Sequence, residues 1–327
     1  MPTRPGSPPS LHIPTLPTVY LARDHHAADV RARIRGGIWR RVYCGAYVDV
    51  TPGSDTSGET ARLALGRAVA LALRSTAELT FSHTTAALIW GLPEVARSDV
   101  VHVTQRSKPT TQEHGVRRHV MSLPDDERTT RLGLQVTTLE RTVIDCAATQ
   151  GPRAGLIIAD AALRSGADPD ELRRQLSERS GRRGVVGARA VVEYGDGGAE
   201  SPGESLTRLA FLRAGLPRPQ TQIPVQTPQG LFWADLGWQE WKLLVEYDGR
   251  AKYTADGPAT EAFLSERRRQ EALEDIGYRV IRATKEDLRR EESLVQRVLR
   301  FAPPGVSLRP RAALVGRDRT VGRGQVP

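Results

Sequence analysis

Trp233-Ala234-Asp235, followed ten residues on by Leu243-Leu244-Val245-Glu246-Tyr247-Asp248-Gly249, is the stretch whose reading decides the fold. Both runs are short, apolar and bounded by turn residues, which predicts two buried strands joined around Gln239 and Glu240. Alternation along a strand puts Glu246 and Asp248 on one face, Val245 and Tyr247 on the other. Folded as a hairpin, the pair brings Asp235 opposite or diagonal to Glu246, within reach of one shared metal. Carboxylates among apolar neighbours are costly unless a cation or strong donors compensate them. Positive charge is therefore expected at this place.

Around that hairpin the pattern runs helix, three strands, helix, strand, helix. An amphipathic helix starts after Glu200-Ser201-Pro202-Gly203-Glu204-Ser205 and is closed by Gly215-Leu216-Pro217, and Gln222 to Thr227 supplies the first strand. A charged helix over 261–276, a strand over Tyr278 to Arg282 and a helix over Glu286 to Phe301 follow. This order gives a mixed α/β sheet with helices on its faces.

The 327 residues suggest two domains, with a boundary near Asp196-Gly197-Gly198-Ala199. The expected division is a disordered leader over 1–20, a largely helical region over 21–195, an α/β domain over 196–303 and a disordered basic tail over 304–327. The formal charge is +9, most of it arginine, whose fork matches phosphate geometry, so a polyanion is the first partner to test. A high-GC coding sequence would enrich arginine equally well. Cys44 and Cys146 stand far apart, outside any CxxC pattern, which points to neither a disulfide scaffold nor a zinc site. The Pro-rich start lacks the apolar core of a signal peptide, and no run reaches the roughly 18 apolar residues of a membrane span. A soluble, cytoplasmic protein is expected.

In the first half, Ala27 to Arg35 predicts a short basic helix stopped by Gly36-Gly37. A hairpin turning near Gly45 follows, carrying Arg40 and Arg41. Glu59 to Ala77 forms a long helix with Leu65, Val69, Ala72 and Leu73 on its apolar face, and Ser82 caps a helix from His83 to Trp90. His83 has no recognisable triad partner, and His102, His114 and His119 lack the tight spacing of a metal site, so ordinary strand or loop roles are expected for them. Glu140, Arg141 and Asp145 are spaced to pair along one helix face, and Asp168-Pro169-Asp170-Glu171 is a clear helix start. The run Arg40-Arg41-Val42-Tyr43-Cys44-Gly45-Ala46-Tyr47, with Ser82-His83-Thr84-Thr85-Ala86-Ala87-Leu88-Ile89-Trp90-Gly91-Leu92-Pro93, resembles the N-terminal part of the AbiEi-type antitoxin family. The resemblance implies a degenerate winged helix that binds DNA, with Arg31, Arg40 and Arg41 as its contacts. A cognate toxin or a homodimer as partner is left open by the sequence.

The chemistry of the carboxylate strands is that of phosphodiester hydrolysis, which needs an activated water and neutralised phosphate charge. A magnesium ion on carboxylates supplies both. Asp235 and Glu246 are of the right type, Glu204 could add a ligand or orient water, and Lys252 is a cation close in sequence. An acid-bearing helix, an Asp strand, Glu246-Tyr247-Asp248-Gly249 with Lys252, then Arg269-Gln270, Leu273, Gly277 and Val280-Ile281-Arg282 resembles the very-short-patch-repair branch of the PD-(D/E)XK nucleases. The resemblance implies a restriction-endonuclease-like fold and a metal-dependent hydrolase acting on DNA, in phage defence or repair. It makes Asp235 and Glu246 the ligands of Mg²⁺ or Mn²⁺, Glu204 the helix acid and Arg269 a supporting basic residue. Asp248 stands at the usual lysine position of the broad superfamily, and Lys252 where the branch carries a histidine. Two alternatives remain: the acids pair with Arg267 to Arg269 and only hold the sheet, or the nuclease fold survives as a non-catalytic DNA-binding platform.

Overall fold

The computed structural model describes residues 12–50, 56–75, 77–95, 100–108, 113–249 and 259–315. The chain begins with strand β1 (Tyr20–Leu21), helix α1 (Ala27–Arg35), and the hairpin β2 (Trp39–Tyr43) and β3 (Ala46–Asp49), giving a small antiparallel sheet of order β1-β3-β2. Its aromatic side is a stack of Tyr20, Trp39 and Tyr47, tied down by Asp49, which accepts from the Tyr20 hydroxyl and the Trp39 indole. Among the described residues no second helix stands between α1 and the hairpin, so the end is one helix and a three-stranded sheet rather than a helix-turn-helix.

Next come α2 (Thr56–Arg74), β4 (Thr80–Phe81), α3 (His83–Trp90), β5 (Val101–Gln105), β6 (Val116–Val120), β7 (Arg128–Arg131) and β8 (Leu134–Thr137). The last five strands of this run make a mixed sheet of order β6-β5-β4-β8-β7. Here the chain holds more strand than its pattern announces, because β4, β7 and β8 are too short to show a period. The buried stripe of α2 runs through Leu65, Ala68 and Leu71, whereas Leu73, expected on it, is exposed. Ser82 precedes α3 as expected but makes no cap hydrogen bond, its hydroxyl being engaged by His83 and Thr104.

Helices α4 (Leu139–Gln150), α5 (Pro152–Arg164), α6 (Pro169–Ser177) and α7 (Val185–Tyr194) form the connector. Thr138 caps α4 and Asp168 caps α6. Of the expected triple on α4, Arg141 pairs with Asp145, while Glu140 instead accepts from the Asp168 amide.

The second half contains α8 (Pro202–Ala214), β9 (Gln220–Thr227), β10 (Gly230–Trp238), β11 (Leu243–Asp248), α9 (Ala259–Asp275), β12 (Arg279–Thr284) and α10 (Glu291–Leu299), in the expected order. The sheet runs β12-β11-β10-β9, with β11 and β12 parallel and the other pairs antiparallel. One face packs Leu236, Trp238, Leu243, Val245 and Ile281 on α8 and α10; the other packs Ile223, Val225, Ala234 and Leu244 on Leu273 of α9. The fold is therefore mixed α/β, with helices on both faces of its C-terminal sheet. Helix α8 serves both halves: Leu209 and Leu212 enter the connector core while Phe211 enters the sheet. Its fully buried Arg208 donates to Asp160 of α5 at 2.6 Å and to the Tyr194 carbonyl.

Both expected disordered ends need correction where they are described. Pro17 is buried, and the His12 carbonyl lies where a Cβ on Gly91 would meet it at 1.8 Å, so the leader is laid onto the α3 terminus. In the tail, Leu314 is fully buried and Arg311 donates to the Leu212 and Leu216 carbonyls at the end of α8. Basic side chains there satisfy open helix carbonyls, an anchorage that does not depend on hydrophobicity. Residues 316–327 lie outside the described part. No helix among the described residues is long and apolar enough to cross a membrane.

Candidate active site

The hairpin register pairs Leu236 with Val245, which sets Asp235 across from Glu246 one step further on. At that step β10 changes face: Phe232 and Ala234 look toward α9, yet Leu236 and Trp238 look toward α8 and α10. Residues two apart should share a face, so the strand must twist between Ala234 and Leu236. Opposite this point on β9, Gln222 takes a φ of 48°, a conformation that side-chain-bearing residues rarely adopt. In place of a backbone carbonyl, the Asp235 carboxylate accepts the Tyr247 amide at 2.8 Å. The irregularity thus turns Asp235 into a fixed, half-buried acid at a sheet corner.

Glu204 reaches the same corner from the start of α8. Ser201 caps the helix by accepting from the Glu204 amide, and the Glu204 carboxylate reaches back to the Glu200 amide and the Ser201 hydroxyl, both at 2.8 Å. This is a capping box displaced by one residue. Gly203 allows the close approach, since a Cβ there would lie 1.9 Å from the Tyr247 ring. Glu204 is buried, and burial first, then the charge of Asp235, push its carboxyl up to about 7, against the pull of its two donors.

Glu246 lies beside Asp235 on the next strand and receives Arg269 of α9, which also donates to the Trp233 carbonyl at 2.8 Å. The expected positive charge is therefore Arg269; Arg267 pairs instead with Glu271 on its own helix. Asp248 sits at the end of β11, in register with Thr284 of β12 and on the Glu246 face by alternation. Lys252 lies outside the described residues. Asp235 lies between Glu204, which comes from the α8 side, and Glu246, which turns toward Arg269 on the α9 side, so the three acids neighbour one another through Asp235 without forming a tight ligand cluster among the described residues. Among the described residues, the group of three His, Cys, Asp or Glu side chains with ligand atoms all within 4.8 Å is His83, His102 and His119.

The expected DNA contacts sit on α1 and the small N-terminal sheet. Arg31 is exposed on α1; Arg40 is exposed on β2 and paired with Glu59 at 3.4 Å; Arg41 donates to the Tyr43 carbonyl. Sequence reasoning missed the clustering of the three histidines. The signal was present only through register: His119 is in line with Thr104, two residues beyond His102 on the neighbouring strand.

No family model matches the chain. Two uncharacterized proteins of Mycobacterium tuberculosis, one from strain H37Rv and one from strain CDC 1551 / Oshkosh, are each 37% identical to it over 142 residues. The match covers 43% of this chain and 51% of either relative, so it spans about half the length of those proteins.

Proposed function

We propose that the corner formed by Glu204, Asp235 and Glu246 is the site of a divalent-cation-dependent nuclease acting on DNA. The observation that carries this reading is the placement of two fixed acids side by side, Glu204 held by the start of α8 and Asp235 held by the Tyr247 amide. Neighbouring carboxylates suit a hard cation such as Mg²⁺ or Mn²⁺, which is commonly held by one or two carboxylates plus waters. Asp235 and Glu246 would be the ligands, with Glu204 orienting water. The cation, when bound, supplies a water of lowered pKa and neutralises charge on the attacked phosphate. Asp235 is kept in place by the Tyr247 amide and Glu204 by its own helix start, so neither acid has to be ordered when substrate arrives. Resemblance to the very-short-patch-repair nucleases supports the same assignment, and the AbiEi-like N-terminal region, with Arg31, Arg40 and Arg41 exposed, would add a second DNA contact. Phage defence, DNA repair, a toxin partner and a cytoplasmic location belong to this proposal.

One observation favours a second reading. Arg269 already occupies the Glu246 carboxylate, as a retained but non-catalytic DNA-binding platform would have it. Nicking of supercoiled DNA in Mg²⁺ or Mn²⁺, abolished by Asp235→Ala and by Glu246→Ala, is the result expected of the nuclease. Equal cleavage by the variants would sink it, and salt-sensitive but chelator-insensitive binding without cleavage would favour the platform.

A further inference from the structure

We propose that His83, His102 and His119 form a binding site for a first-row transition cation of the zinc type, separate from the acid corner. The three come from different elements: His83 opens α3, His102 lies on β5 and His119 on β6, the parallel neighbour of β5. One ligand atom from each lies within 4.8 Å of the other two. His102 Nδ1 and His119 Nε2 are 3.1 Å apart, close to the ~3.3 Å edge of a tetrahedron whose metal–nitrogen bonds are ~2.0–2.1 Å. His83 and His119 stack with centroids 3.7 Å apart, so aiming both at one ion requires their rings to turn about χ2, a soft torsion.

The chemistry of the pocket suits a metal rather than a charged imidazole cluster. His83 and His102 are buried, where a protonated ring would be costly. Neutral imidazoles present lone pairs at neutral pH, as a metal ligand must. His119 is only partly buried and leaves a way in.

A second, independent observation points the same way. Asp145 Oδ2 is buried with no hydrogen-bond partner, 3.8 Å from His83 Nδ1. A carboxylate behind a ligating imidazole is the usual outer partner of a metal-bound histidine, and an orphaned one is otherwise hard to account for. Arg141 holds the other Asp145 oxygen, and Glu127 in turn holds Arg141, so the carboxylate is fixed behind the His83 ring. Ser82 Oγ, which accepts from Thr104, lies 2.9 Å from His83 Nδ1 and fixes that ring. His83 itself is held at φ 55°, a strained backbone state of the kind that gathers at ligand sites.

The test is titration of chelator-stripped full-length protein with Co²⁺, followed by its visible d–d bands and displacement by Zn²⁺. One tightly bound equivalent is expected, with affinity at least about tenfold weaker in His119→Ala and in His102→Gln. It should be unchanged in Asp235→Ala, with cooperative melting confirming that each variant is folded. Absence of stoichiometric binding would overturn the proposal and leave a metal-free histidine network. So would affinity unchanged in a folded His119→Ala protein, or binding lost in Asp235→Ala.

Discussion

The acid corner of the last sheet and the histidine pocket of the middle sheet bury polar groups in opposite ways. At the corner, Asp235 and Glu246 follow one another across a hairpin, and local donors are at hand: the Tyr247 amide, the cap of α8, and Arg269. In the pocket, four elements that are distant in sequence each give one group, and compensation runs through a buried relay from Arg141 to Asp145 and Glu127. Local compensation leaves a site half open and adjustable. Distant compensation ties the site to the stability of the whole half-molecule.

The contrast can be broken most forcefully at Arg141. Arg141→Ala strands the buried Asp145 carboxylate and leaves Glu127 with Arg179 alone, and should cost about 3–5 kcal/mol in urea unfolding. Arg269→Ala, at the more open corner, should cost only about 1–2 kcal/mol. Gly203→Ala forces a methyl into the Tyr247 ring and should cost about 1–3 kcal/mol, together with displacement of the Glu204 carboxylate.

The two sites should also answer pH with opposite sign. His83 and His102 are held below their ordinary 6.5 in the folded state, so the unfolded chain binds more protons beneath that pH. Stability should be full above 6.5 and fall as pH drops toward 3, more shallowly in His102→Gln. Glu204 is held above its ordinary 4.5, so its contribution is full below 4.5 and is lost as pH rises through about 7. Glu204→Gln should therefore stabilise the protein at pH 8 by about 1 kcal/mol and hardly at all at pH 4, while impairing any cleavage. A gain at pH 4 equal to that at pH 8 would refute the assignment. Smallest of all, Arg40→Ala with Arg41→Ala should leave stability within about 0.5 kcal/mol. It should weaken DNA binding and reduce its salt dependence in a filter-binding assay.

How far the sequence could be read follows from the same contrast. The order of elements around the hairpin, the facing of Asp235 and Glu246, and the helix starts at Thr138, Asp168 and Ser201 are local, and each carries its own periodicity or cap signature. The face change at Asp235 was not readable, because it depends on the φ of Gln222 across the sheet. Nor was the partition of the arginines: Arg269 and Arg267 share a helix, yet one meets Glu246 and the other its own Glu271. The tail is the same lesson from the other side, since Arg311 is anchored by carbonyls that only the folded α8 presents. His83, His102 and His119 carry no mutual spacing, and only the parallel register of β5 and β6 with the placement of α3 brings them together.

Titration of Mn²⁺ into chelator-stripped protein, with free Mn²⁺ read by electron paramagnetic resonance, tests the acid corner most directly. The account predicts a site whose occupancy is abolished by Asp235→Ala and left intact by His119→Ala. Mn²⁺ binding of equal strength in wild type and Asp235→Ala, or none in wild type, would contradict it.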